Sequence, residues 1–172
     1  MFTYKKSYQL QVIGYSDSDF VSYLNDRKYT FDFLFMMTQG VISWKSVKQT
    51  LTATFTEAEY VTCYKATCQV VWFKNLISGF QIVESISMPL VTYCNNTTVV
   101  HFSRNNRSST HSKHFDIKFM FVREKVLDFQ IWIEHTATKN MSASPLNKVL
   151  AIGVFQNHVT HISVVKFFNR LG

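Results

Sequence analysis

The chain has 172 residues, 47% of them hydrophobic, with only five glycines and two prolines, so it has enough apolar material for one domain with a core and is not a disordered or fibrous chain. Eighteen Lys and Arg against eleven Asp and Glu give a net charge of +7, which favours an anionic partner or surface without specifying one. Cys63, Cys68 and Cys94 are odd in number and irregularly spaced, so no disulfide framework is implied; no apolar run approaches the ~20 residues of a membrane helix, and the opening MFTYKKSYQ lacks the apolar centre of a signal peptide.

The first predicted strand covers 10–16. Val12 and Ile13 are β-branched, Tyr15 is aromatic, and Gly14 permits a bulge or a close backbone approach. Asp17 and Asp19 follow, two residues apart, and share a face if the strand persists. A carboxylate at the mouth of a central strand needs solvent, a partner or a metal. Asp17 therefore seeds a divalent-cation site, or else marks a solvated strand end. Residues 21–29 are polar and read as a connection. A second strand, 30–37, places Phe31, Phe33 and Phe35 on one face and Asp32, Leu34 and Met36 on the other. A turn at 39–40 leads to a third strand, 41–45, which completes an antiparallel meander.

Thr56 opens a helix, with Glu59 three residues on in a capping-box pattern. Apolar groups spread round most of it, from Tyr60 to Leu76, so it is largely buried, and Gly79 ends it. A fourth strand covers 88–94, a short helix 96–104, and a basic, Ser-rich loop 105–112. In the helix predicted over 113–128, Phe115, Phe119, Val122, Val126 and Phe129 form one apolar face. A fifth strand covers 131–137. Ser144 and Pro145 suit a cap and first helical turn, and an amphipathic segment runs to residue 171. The alternation implies an α/β layer fold with a mixed sheet.

Several stretches occur in a telling order: GYSDSDF, NDRK, VISWKSVKQT, TEAEYV and KHFDIKFMFVREKV. Together they resemble the ribonuclease H domain at the C-terminal end of copia-type retrotransposon Pol polyproteins, whose pattern runs GYSDADWAG, DRKSTSG, ISWKSKKQ, STTEAEY, YCDN, KHIDIRYHFIREKV and ADILTK. The resemblance implies a ribonuclease H-like fold, a five-stranded mixed sheet flanked by helices, with the first strand central and the fourth beside it. Residues 1–9 resemble the connector from the reverse transcriptase, 10–150 the domain itself, and 151–172 a C-terminal helical segment. The family keeps small residues where this chain has Tyr29, Phe31 and Asp32, a drift that implies added surface apolar bulk. It also implies an intracellular setting, cytoplasmic or nuclear, in agreement with the thiols.

Members of that family cut the RNA strand of RNA–DNA hybrids with two Mg²⁺ about 4 Å apart. Their four carboxylates fall on Asp17, on Glu59, on Asn95 in YCNN, and on Ser144 in ASPLNK. Two of the four acids are therefore replaced. Mg²⁺ prefers charged oxygen ligands, so its binding is expected to be weak or absent and hydrolysis impaired. Asp19 is a neighbour rather than an equivalent. His111, His114 and His135 are proton carriers by type only, and a zinc site at Cys63 and Cys68 is disfavoured because buried cysteine packs as a small hydrophobe. Lys45, Ser46, Lys48 and Gln49 after the third strand, and Arg104, Arg107 and Lys113 around the Ser-rich loop, are candidate hybrid contacts. Trp44 reads as core. The expected partner is an RNA–DNA hybrid or other nucleic acid, or the reverse transcriptase portion of a Pol polyprotein. A non-catalytic module for nucleic-acid or protein binding is the alternative.

Overall fold

A computed structural model describes residues 12–19, 28–37, 40–50, 55–80, 89–105, 113–146, 148 and 150–161. Three antiparallel strands come first: β1 (Val12–Asp19), β2 (Lys28–Met37) and β3 (Gly40–Thr50). Then follow α1 (Phe55–Phe80), β4 (Leu90–Cys94), α2 (Thr97–Arg104), α3 (Lys113–Leu127) and β5 (Ile131–His135). Two 3-10 turns, Thr138–Asn140 and Ser144–Leu146, lead to α4 (Ile152–His161). The strand order is β3-β2-β1-β4-β5, with β4 parallel to β1 and β5 parallel to β4. A parallel neighbour needs a crossover, and α1 lies on the path from β3 to β4. β1 is thus central, as the resemblance implies. The proposed 1–9 connector lies outside the described residues.

Alternation along the strands divides the core in two. Val12, Phe31, Phe33 and Phe35 pack under α1 and α3, against Tyr60, Val70, Phe73, Phe115 and Val122. On the opposite face Leu34, Met36 and Val41 are covered by Met141 and Ala143, with Tyr15 and Leu146 at the margin. Fully burying one such large side chain contributes on the order of 2 kcal/mol. Tyr29, Phe31 and Asp32 are all buried, so the expected surface bulk is in fact core. The reason is register: Phe31 and Phe33 stand on the helix-covered face of β2, and Asp32 points the other way, opposite Asp17.

Gly14 allows the close approach expected of it. A Cβ there would lie 2.5 Å from Phe35 Cε1 and 3.0 Å from Thr92 Oγ1. The Phe35 ring has little room to yield, since it is buried between Phe33 and Phe73 at centroid distances of 5.6 and 5.7 Å. The register irregularity sits elsewhere, at Phe35/Met36 in the pairing of β2 with β3. Gly14→Ala is expected to cost about 1–3 kcal/mol through overpacking, read as a lower urea midpoint with an unchanged m-value. An unaltered midpoint would show that Phe35 can move aside.

Several boundaries differ from the patterning. β1 continues through Asp17 to Asp19, so both acids lie within the strand. β3 runs to Thr50 rather than 45 because its whole length pairs with β2, from Gly40 opposite Met37 to Thr50 opposite Lys28. α1 already begins at Phe55, which puts Thr56 in its first turn, and it runs past Gly79 to Phe80. Its first half is buried, but Trp72 and Leu76 are exposed. α3 ends at Leu127. Phe129 does not extend its apolar face. Its φ is 53°, and it closes the helix by donating to the Val126 carbonyl while Gln130 donates to that of Lys125. That is a left-handed C-terminal cap, usually glycine, and it turns the Phe129 ring into solvent.

Candidate active site

Asp17 is fully buried on β1. A lone carboxylate in that position would be strongly unfavourable, so its partners decide what the site is. Asn95 Nδ2 donates to Oδ1 at 3.0 Å, Ser144 Oγ donates to Oδ2 at 2.9 Å, and Lys148 Nζ reaches the same Oδ2 at 2.6 Å. Each donor is delivered by the backbone. β4 runs parallel to β1 with Cys94 beside Ser16, which brings the next residue, Asn95, alongside Asp17. The 3-10 turn Ser144–Leu146 continues into a backbone bond from Lys148 N–H to the Ser144 carbonyl, so both side chains face β1. An ionised carboxylate only accepts, which fixes the Asn95 amide with its nitrogen towards Asp17. The Asn95 carbonyl oxygen is then left buried without a hydrogen bond.

Glu59 enters from α1, and with Asn95, Asn96, Thr97 and Thr138 it lines a cleft of about 370 Å³. Its carboxyl is buried, and Oε1 makes no hydrogen bond. Burial pushes its pKa up to about 8, and the nearby charge of Asp17 adds to the rise. The Ser18 hydroxyl and Lys148 pull it partly back, although Ser18 Oγ makes no hydrogen bond of good geometry. Asp32 is the cross-strand partner of Asp17 and is equally buried. Burial raises it to about 7, and the charges of Asp17 and Asp19 add to this. A hydrogen bond with Ser46 and the charge of Lys148 oppose the rise.

The four positions aligned with the family's acids, Asp17, Glu59, Asn95 and Ser144, therefore meet at one end of the sheet. Two further residues join them that the sequence reading passed over. Asp32 sits in an apolar strand, and only the antiparallel register across from Asp17 marks it. Lys148 closes the ASPLNK segment, and the available clue was that the family pattern ADILTK ends in the same residue. A pair of Mg²⁺ does not fit this donor set. Both Asp17 oxygens are held by N–H and O–H donors, and Asn95 turns a nitrogen towards it. Among the described residues, no three His, Cys, Asp or Glu side chains converge as a metal site.

The candidate hybrid contacts divide. Lys45, Ser46 and Lys48 lie within β3, not after it, and all three are exposed. Alternation puts Ser46 and Lys48 on the Asp17 face, opposite Asp32 and Thr30, and Lys45 on the other, opposite Phe33. Trp44 is 58% exposed on the face of Ser46, so it is not core. Arg104 donates to the Ile133 carbonyl at 2.6 Å and stacks 4.5 Å over Trp132, which ties it to β5. Gln49 and Lys113 belong to β3 and α3, with side chains outside the described set. Arg107 and His111 lie outside it altogether, as does the His114 side chain. His135 is exposed at the end of β5. Cys63 is buried in α1, and burial raises its thiol pKa well above the usual range.

No family model matches the chain. Among solved structures, LC11-RNase H1 in complex with an RNA/DNA hybrid aligns with a TM-score of 0.59 at 16% identity, over 79% of this chain and 93% of that one. In sequence, the Pol polyprotein of transposon TNT 1-94 from Nicotiana tabacum is 28% identical over 144 residues, which is 83% of this chain. That of transposon RE2 from Arabidopsis thaliana is 29% identical over 163 residues, or 94%. This is a ribonuclease H-fold relative of transposon Pol polyproteins. The ribonuclease H-fold chain spans 11% of the length of each of those two polyproteins. Among its described residues, no helix is long and apolar enough to cross a membrane.

Proposed function

We propose that this chain is the ribonuclease H-like segment of a transposon Pol polyprotein, descended from a two-Mg²⁺ hybrid nuclease, and that it no longer hydrolyses RNA–DNA hybrids. The observation that carries the reading is the donor set on Asp17. An amide, a hydroxyl and an ammonium occupy the two oxygens that a metal-dependent nuclease keeps for cations. Glu59, with its pKa near 8, is mostly protonated at neutral pH and adds little negative charge. The chain's own residues thus hold one carboxylate and one ammonium in contact, an arrangement that binds structure together rather than activating water. The free thiols suit a reducing, intracellular setting, and the polyprotein's reverse transcriptase portion is the natural partner.

The test is a labelled RNA–DNA hybrid incubated with the chain and Mg²⁺ or Mn²⁺. The unmodified chain is expected to give no metal-dependent cutting. The double variant Asn95→Asp with Ser144→Asp is expected to regain it, at a rate at least about 10²-fold higher. Robust cutting by the unmodified chain overturns the reading. Retained hybrid binding is a second reading, favoured by the exposed run of Trp44, Ser46 and Lys48 on the Asp17 face. Its signature is salt-sensitive binding without turnover. Affinity no better than that of another small basic protein removes it.

A further inference from the structure

The face of the sheet that carries Asp17 is only half closed. On β1, Ile13, Tyr15 and Asp17 alternate onto it. Over β2 and β3, Leu34, Met36 and Val41 are covered by Met141 and Ala143. Over β1 and β4 a cavity of about 690 Å³ remains, and its lining includes Ile13, Tyr15, Tyr93, Asn140, Ser142 and Asn157. That is far more than a close-packed interior leaves empty, and it falls in the ~300–1,000 Å³ range of small-ligand sites. Tyr15 and Tyr93 are neighbours on parallel strands. Their ring centroids are 5.5 Å apart and their planes 30° from each other, so they give the cavity one continuous aromatic surface. Tyr15 also packs against the Met141 cluster, which fixes that surface before anything binds.

We propose that this cavity binds a nucleobase, a flat uncharged heterocycle that lies against Tyr15 and Tyr93 and offers its polar edge to Asn140, Ser142 and Asn157. The tyrosines take any flat π-face, so the polar lining decides which one is held. The amides of Asn140 and Asn157 each donate and accept, and so does a serine hydroxyl, which matches the mixed donors and acceptors of a base edge. The Ser142 hydroxyl is buried and makes no hydrogen bond. A serine has three staggered positions to choose from, and a polar ligand in the cavity would draw the hydroxyl out of an unpaired one. Burial raises the Tyr93 hydroxyl above its ordinary pKa, and the charges of Glu134 and Tyr15 add to this, so at neutral pH it is a neutral phenol that sets no charge against the ring. A purely apolar ligand would strand the two amides and the serine. The cavity lining shares no residue with the set that holds Asp17, so the inference does not depend on the nuclease reading. The base is the shared chemistry of two sources, a free nucleoside or nucleotide and an unpaired nucleotide of a strand.

The test titrates the full chain with adenosine, AMP and single-stranded hexa-adenylate, without metal, and reads heat and saturation transfer to the base protons. Adenosine is expected to fill a single site with a dissociation constant on the order of 100 μM. Tyr93→Leu keeps apolar bulk but removes a ring, and is expected to weaken binding about 10-fold or more. Tyr93→Phe keeps the ring and is expected to keep the affinity. Asn157 is exposed on α4, so Asn157→Trp fills the cavity from its outer side and is expected to abolish binding at an unchanged thermal midpoint. That variant decides the matter if Tyr93→Leu does not fold. Adenosine and hexa-adenylate binding alike support the proposal with a free nucleoside or nucleotide as the source. Hexa-adenylate binding more than about 10-fold tighter, with the gain lost in Asn157→Trp, supports it with a strand as the source. No saturable binding of adenosine or AMP at about ten times the expected constant overturns the proposal. So does a Tyr93→Leu or Asn157→Trp chain that binds adenosine as the unmodified chain does. An apolar dye taken up by the unmodified chain, excluded by Asn157→Trp and not displaced by adenosine also overturns it.

Discussion

Asp17→Asn is expected to lower folding stability by about 3–5 kcal/mol, a fall of roughly 10 °C in the melting midpoint for a domain of this size. The carboxylate accepts from three donors, an amide, a hydroxyl and an ammonium. An asparagine can accept through one oxygen only. If that oxygen faces Ser144 and Lys148, the new amide nitrogen meets the Asn95 amide nitrogen. If it faces Asn95, the nitrogen meets the hydroxyl and the ammonium. Unless the Asn95 amide turns over to offer its oxygen, a buried donor is left opposed by another donor, and in every case Lys148 loses its counter-charge. The sign is the informative part. In a working metal site, acids crowded together for the sake of the ions repel one another, and neutralising one tends to stabilise the fold. A stability gain in Asp17→Asn, measured by urea unfolding in EDTA, would show that Asp17 is held as a strained ligand and not as half of an ion pair.

Glu59→Gln is expected to act in the opposite direction and to depend on pH. The Glu59 carboxyl has an ordinary value of 4.5 and is pushed up to about 8 in the folded chain, first by burial and then by Asp17. Between those values the folded state keeps a proton that the unfolded state releases. Stability therefore falls as pH rises through the window and levels off above about 8. The loss from this one group is on the order of 5 kcal/mol across the window. Asp32 contributes in the same sense between 3.8 and about 7. Glutamine is neutral throughout, so the variant should match the parent near pH 5 and exceed its stability increasingly towards pH 8, keeping only the Asp32 slope. Urea unfolding of both proteins at several pH values decides it. Parallel curves would mean that Glu59 is not held neutral in the fold.

Much of this arrangement was legible in the residues. TEAEY carries enough local pattern to be placed by itself, GYSD, YCNN and ASPLNK are placed only by the order of the motifs along the chain, and the fold then brings the four proposed positions to one end of the sheet. The residues between these motifs were harder to read. Lys45 to Thr50 is mostly polar, so hydrophobic alternation stops at Lys45 although the strand continues; only pairing with β2 reveals it. Tyr29 and Phe31 were read by comparison with smaller residues elsewhere, but burial here is decided by the strand's own face. Phe129 fits the spacing of the α3 stripe yet lies just past the helix, where a left-handed backbone conformation removes it from the line. Asp32 and Lys148 escaped because each is defined by a partner far along the chain. Asp32 meets Asp17 across a ladder, and Lys148 meets it 131 residues away.

The length of β3 has a consequence for how copies of this chain meet. Among the described residues, its eleven residues pair with β2 only and form an outer margin of the sheet. A margin of that length is a template on which another strand can add. Here it carries exposed ammonium groups at Lys45 and Lys48, one on each face. A second molecule aligning its own margin there would bring like charges together above and below the growing sheet, so the same lysines proposed as hybrid contacts also act as gatekeepers against fibrillar stacking.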